Sequence, residues 1–304
     1  MITNPNCRKR KMLNKISISI VLLFIQFTFC QNNTSLLTVE EYTQLCKVSL
    51  DEDKYLDAIK YGEIAVKIKN NNAEAHYWLG QSYGVGAQKA PIYKKFSYAR
   101  KCKMEWEKAI QHNNEHIDAR KMLISYHLQA PSIIGGNRDM AMELAYEIKN
   151  LDLLQGYLAF GQVYVSQENY IEAEKEYQKA IEIDPYKTDS YYYLSYLYQI
   201  QNKYNQAKEI LLEMLMIKPD EFEAFYQLGK TVLLSNENLD EGIAYFEKYI
   251  DKEQNTVSLA YAHWRIGEIY EKLNDNIKAR KEYLLTLKLD SGNKEARKAL
   301  KELD

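Results

Sequence analysis

The sequence predicts an all-α fold, a right-handed α-solenoid of stacked antiparallel helix pairs. Three observations carry this. A spaced pattern of aromatic, small and apolar residues returns about every 34 residues. Gly and Pro are scarce, 12 and 5 in 304 residues, which leaves few tight turns for a sandwich or barrel. Apolar residues make up 46% and charged residues 27%, an ordinary water-soluble composition with enough apolar mass for a core. Wholesale disorder, a collagen-like chain and a polytopic membrane protein are excluded. Tyr is the outlier, at 26 residues, and the fold has to place those rings.

The repeat is plainest in two adjacent segments, 154–187 and 188–221. In register, Tyr157 meets Tyr191, Phe160 meets Leu194, Gly161 meets Ser195 and Tyr164 meets Tyr198. Farther on, Ala173 meets Ala207, Tyr177 meets Leu211, Ala180 meets Met214 and Pro185 meets Pro219. Small residues at Gly161, Ala173 and Ala180 let two helix backbones approach, and the rings between them fill the gap to the next unit. Pro185 and Pro219 stand where a second helix must stop, because proline has no N–H to continue it. These positions resemble the tetratricopeptide repeat, whose pattern runs W-x₂-L-G-x₂-Y, then A-x₃-F, A and P. The resemblance implies a superhelix of such pairs, since a lone unit leaves one face bare and must stack.

The register extends in both directions and gives about seven units, at 39–72, 73–114, 115–153, 154–187, 188–221, 222–255 and 260–293. Residues 294–304 read as a closing helix. Units 73–114 and 115–153 carry lengthened turns, GAQKAPIYKKF in the first and HLQAPSIIGGN in the second. There Pro131 ends a helix, and Gly135-Gly136 supplies positive φ for the reversal. HYWLGQSYG with DARKMLISYHLQAPSIIGG also resembles a poorly characterised group of exported bacterial tetratricopeptide proteins, over roughly residues 73–150. That resemblance implies location more than activity.

The first thirty residues read as an address. Arg8, Lys9, Arg10, Lys11 and Lys15 lead into the apolar run Ile16–Cys30, and a polar linker over 31–38 follows. The run is about 15 residues, short of the ~20 that span a bilayer, and small Thr28 and Cys30 precede Gln31 as a cleavage site. A signal peptide over 1–30 is the expectation, with export to the periplasm or cell envelope, or release from the cell. Two alternatives stay open: acylation of Cys30 and retention of the leader, and only these imply a membrane attachment. Met12 competes with Met1 as the start.

Outside the leader the chain holds 35 basic and 42 acidic residues, so nothing draws it toward nucleic acid. Lys94-Lys95 and Arg100-Lys101 read as a solvated helix face. Cys46 and Cys102 read as buried thiols at small-residue positions, with no framework for a disulfide. His112 and His116 flank a junction between units and read as exposed rather than as a metal pair, while His76 and His263 share one packing position. No phosphate loop, nucleophile elbow or recurring carboxylate–histidine pair is present, so no enzyme, no cofactor and no metal is expected.

The resemblance instead points to one face of each first helix, the concave wall that in many tetratricopeptide proteins holds an extended peptide or a partner helix. One residue after the Tyr157/Tyr191 position stand Tyr77, Leu158, Tyr192, Tyr226 and Trp264. One turn on come Gln81, Gln162, Tyr196, Lys230 and Glu268, then Val165, Gln199, Leu233 and Glu271. The expected groove is thus Tyr77, Gln81, Gln162, Tyr192, Tyr196, Tyr226, Lys230, Trp264 and Glu268, with a protein or peptide partner. Two readings compete with it. The rings could serve packing alone, or an envelope carrier or enzyme accessory could stack a glycan or peptidoglycan fragment on them.

Overall fold

The computed structural model describes residues 37–303. The leader, its cleavage site and most of the linker lie outside the described residues. Within them the chain forms fifteen α-helices and one 3₁₀ turn, without strands. The chain divides into two compact units, and the boundary falls inside one helix, between Leu144 and Ala145.

The first unit begins with α1 (Val39–Asp51), α2 (Tyr55–Ile68), α3 (Ala73–Lys89) and α4 (Ile92–His112). It ends with α5 (Ile117–Gln129), the 3₁₀ turn Ser132–Ile134 and the start of α6 (Arg138–Leu151). The second unit takes the end of α6 and then α7 (Leu153–Ser166), α8 (Tyr170–Ile183), α9 (Thr188–Ile200) and α10 (Tyr204–Ile217). It continues through α11 (Glu223–Ser235), α12 (Leu239–Lys252), α13 (Thr256–Lys272), α14 (Asn276–Leu289) and α15 (Lys294–Glu302). Consecutive helices pair, α1 with α2, α3 with α4, α7 with α8, α9 with α10, α11 with α12 and α13 with α14.

The sequence sets the ends of these helices. Thr38 accepts from the Glu41 backbone while Glu41 accepts from Thr38, a reciprocal cap that satisfies two orphan donors. Asn72, Asp152, Asn255, Asp275 and Asn293 cap α3, α7, α13, α14 and α15 through side-chain oxygens. Between paired helices, Asp53, Glu168, Asn202 and Asn274 all hold left-handed backbone, with φ of 57–63°. None of these is glycine, and the turn repeats all the same.

Packing explains the small-residue positions. A Cβ built on Gly80 would lie 2.5 Å from the Trp106 ring, and one on Gly229 would lie 2.9 Å from the Phe246 ring. Gly161 stands in the same relation to Tyr177, and Gly267 to Tyr283. Each ring from a second helix therefore sits where a first-helix side chain would be. Ala58, Ala65, Ala109, Ala173, Ala180, Ala207 and Ala279 are fully buried at the remaining close approaches.

Many tyrosines are placed by their hydroxyls. Tyr83 of α3 donates to Glu63 of α2, and Tyr198 of α9 donates to Glu174 of α8 at 2.8 Å. Each of these bonds ties a first helix to the second helix of the unit before it. A buried ring keeps its apolar body inside and its polar tip satisfied.

The lengthened turns are ordered. Pro131 stops α5, Gly135 holds φ 99°, and the Tyr126 hydroxyl donates to Ile134 O at 2.5 Å. The buried histidines are bound as well as packed. His76 lies between Glu105 (2.5 Å) and Asn70 O (2.7 Å), and His263 meets Glu282 at 2.7 Å. His116 corrects the expectation of an exposed ring. Its Nδ1 accepts from Ala119 N as the cap of α5, and the ring lies 4.9 Å from Tyr77 with only 10% of the side chain exposed. Cys46 and Cys102 are free and buried, and burial pushes their thiols up to about 11 and about 12.

Candidate partner-binding face of the first helices

The second unit aligns α7, α9, α11 and α13 as successive first helices. Residues one turn apart on a helix share a face, so Tyr192 and Tyr196 go together on α9, Tyr226 and Lys230 on α11, and Trp264 and Glu268 on α13. Two contacts show that α9, α11 and α13 present one continuous surface. The Lys230 ammonium of α11 lies 5.8 Å over the Tyr196 ring of α9, and Arg265 of α13 lies beside the Tyr226 hydroxyl.

The residues on this surface differ in how freely they are offered. Tyr196 is 53% exposed. Tyr192 is half-buried, its hydroxyl donating to Glu221 at 3.1 Å, and burial with that carboxylate raises its pKa. Tyr226 packs edge-on to Phe246 (5.4 Å) and tilted on Tyr249 (5.2 Å), both of its own second helix. Trp264 leans on the cluster of Ala279, Tyr283 and Ala296 and carries the Arg265 guanidinium 4.2 Å above its ring. Glu268 accepts from Arg265 at 2.7 Å, and Gln162 donates to the Tyr193 hydroxyl at 2.7 Å. Leu158, at the Tyr192 position of its unit, is buried with Leu194 and Leu197. Gln199 is buried too, bonded to Thr231 at 2.9 Å. Tyr77 and Gln81 lie in the first unit, where Gln81 donates to the Tyr77 hydroxyl at 2.8 Å.

Electrostatics single out Lys230. It is half-buried, and burial with the neighbouring Arg265 charge pushes its pKa down. Arg265 is balanced by Glu268, whereas Lys230 has no carboxylate partner among the described residues. Arg265 escaped the sequence reading because it stands one residue past the repeating wall position. The signal available was its adjacency to Trp264, since guanidinium groups stack on aromatic faces. Among the described residues, no three histidine, cysteine or carboxylate side chains gather as a metal site.

Family models of the tetratricopeptide repeat match residues 164–229 and 260–293. These segments are tetratricopeptide repeats. A crystal structure of a tetratricopeptide repeat protein from Parabacteroides merdae ATCC 43184 has the same fold, at TM-score 0.55 and 13% identity. The similarity covers 87% of this chain and 98% of that one. The APC/C hetero-tetramer Cut9-Hcn1 gives TM-score 0.51 and 14% identity, over 87% of this chain and 52% of that one. No curated protein matches the sequence. Both structural likenesses are likenesses of fold, and the tetratricopeptide repeats here are to be judged by their own surface.

Proposed function

We propose that this tetratricopeptide-repeat protein is an exported, non-catalytic scaffold that holds a protein or peptide segment on the face of α9, α11 and α13. The observation that carries the reading is Lys230, half-buried over the Tyr196 ring, next to a second cation and without a carboxylate of its own. A partner's carboxylate or carbonyl oxygen would complete it, with Tyr196 and Trp264 as amphipathic contacts on either side. Tyr192 and Tyr226 form the floor, held in place by their own packing. Export rests on the basic and apolar leader, with the mature chain placed in the periplasm or cell envelope.

The test compares wild type with Tyr196→Ala combined with Lys230→Glu, in pull-downs from envelope extract and in thermal unfolding. Lost capture with an unchanged melting temperature supports the face. Undiminished capture of the same partner sinks it. N-terminal mass spectrometry of exported protein tests the leader: a chain starting at Gln31 supports cleavage, and an intact leader refutes it.

A further inference from the structure

The lengthened turn of the second repeat makes α4 longer than its counterparts, 21 residues against 14 in α2, α8 and α10. Its buried side is ordinary, with Cys102, Glu105, Trp106 and Ala109 turned to the core. At 100° per residue, the opposite side is lined by Tyr93, Phe96, Arg100 and Met104, with Ile92 on its flank in the first turn. Ile92, Tyr93, Phe96 and Met104 are 74%, 75%, 54% and 51% exposed. An apolar stripe directly opposite the core has no role in the repeat stack.

Charge around the stripe has one sign. From Gln88 to Met104 the chain has six bases and no acid. Lys89 pairs with Asp53 and Lys103 with Glu107, Lys95 donates to Gln88 O and Lys101 lies over the Tyr83 ring of α3, which leaves Lys94 and Arg100 as the cations beside the stripe without carboxylate partners among the described residues. The second lengthened turn comes to the same place. Gly135 lies beside the Lys103 side chain, and the 3₁₀ turn before it carries Ile133, 82% exposed.

We propose that this outward face of α4 docks on an anionic lipid surface. Basic charge interleaved with exposed aliphatic and aromatic side chains is the chemistry of an interfacial helix: rings and aliphatics enter the headgroup boundary, and lysines meet the phosphates. No helix among the described residues is long and apolar enough to cross a membrane, so the contact is peripheral. It uses residues separate from the peptide-holding face and does not depend on the leader.

The test reads the face locally, because the leader of the full chain has its own affinity for lipid. Phe96→Trp, with Ile92→Trp as a second reporter, is mixed with vesicles of brominated phosphatidylglycerol or brominated phosphatidylcholine. Quenching beyond that of wild type, which has its own tryptophans at 78, 106 and 264, reports insertion at the new site. Extra quenching by the anionic vesicles, much weaker in the neutral ones, is expected, and Lys94→Gln with Arg100→Gln should remove most of it. Circular dichroism checks that the variants fold. No extra quenching by anionic vesicles overturns the proposal, as does equal quenching by neutral ones. Loss of the anionic quenching to soluble polyglutamate at matched salt would assign the face to an acidic protein instead. A concentration-dependent blue shift of the reporter without vesicles would mean that a second copy covers it and would overturn the proposal.

Discussion

Gly161 and the Tyr177 ring fill one space, so that neither position can change without the other. Gly161→Ala gains about 1 kcal/mol of helix propensity, yet it drives a methyl into a ring that is 2% exposed. A net loss of about 1–3 kcal/mol is expected from such overpacking. The fifth repeat shows the alternative pairing, Ser195 with Leu211, and Tyr177→Leu added to Gly161→Ala should restore part of the loss. Urea midpoints of the single and double variants check both statements.

Tyr198→Phe removes the hydroxyl that reaches Glu174 and leaves the ring in place. A loss of about 1 kcal/mol is expected, because Glu174 is half-exposed and water takes over its solvation. Hydrogen exchange should rise at the α8/α9 seam more than in α13 and α14. Uniform acceleration would mean that the bond is no local staple.

Helix α15 packs on α14. Ala296 of α15 is buried against Ala279 and Tyr283, with Leu300 and Leu303 beside it. Ala296→Asp places a carboxylate without a partner in that contact and should cost about 2 kcal/mol or more. Deleting residues 294–304 should lower both the melting temperature and the solubility, as terminal repeats need a polar outer face. An unchanged thermal profile would remove the capping role.

His116 gives the first unit a dependence on pH. Burial pushes its pKa below the ordinary 6.5, against the pull of Glu74 and Asp118 and with that of Arg120. The neutral ring is the folded form, because Nδ1 must accept from Ala119 N. The unfolded chain therefore binds more protons between the lowered pKa and 6.5, and stability falls as pH drops through that window. His127, lowered by burial and by Lys103, acts in the same direction. His116→Asn keeps a capping acceptor and removes the titration. Between pH 7 and 5 its melting temperature should fall less than that of wild type.

The repeat was legible because a collision such as Gly229 with Phe246 recurs at one spacing, and spacing is what a sequence displays. The site was legible only in outline. Tyr226 follows the repeating position yet turns onto its own second helix, because Phe246 and Tyr249 offer aromatic edges there. Leu158 follows it as well and is covered by Leu194 and Leu197 of the next unit. Exposure at such positions depends on what the second helix and the next unit supply, so the first-helix pattern alone cannot assign it. His116 was misread for a related reason: Asn113-Asn114 marks a loop, but the loop folds its capping ring against Tyr77.

The hydroxyl bonds between units have an arrow. Glu63 precedes Tyr83 and Glu174 precedes Tyr198, so the acceptor belongs to the earlier helix in both. As a chain emerges from its N-terminus, each such carboxylate is in place before its tyrosine arrives. A newly made first helix then docks on a finished surface instead of waiting for one. At these two seams, growth from the N-terminus would be templated from behind, and a chain halted before the tyrosine would present a carboxylate still awaiting its ring.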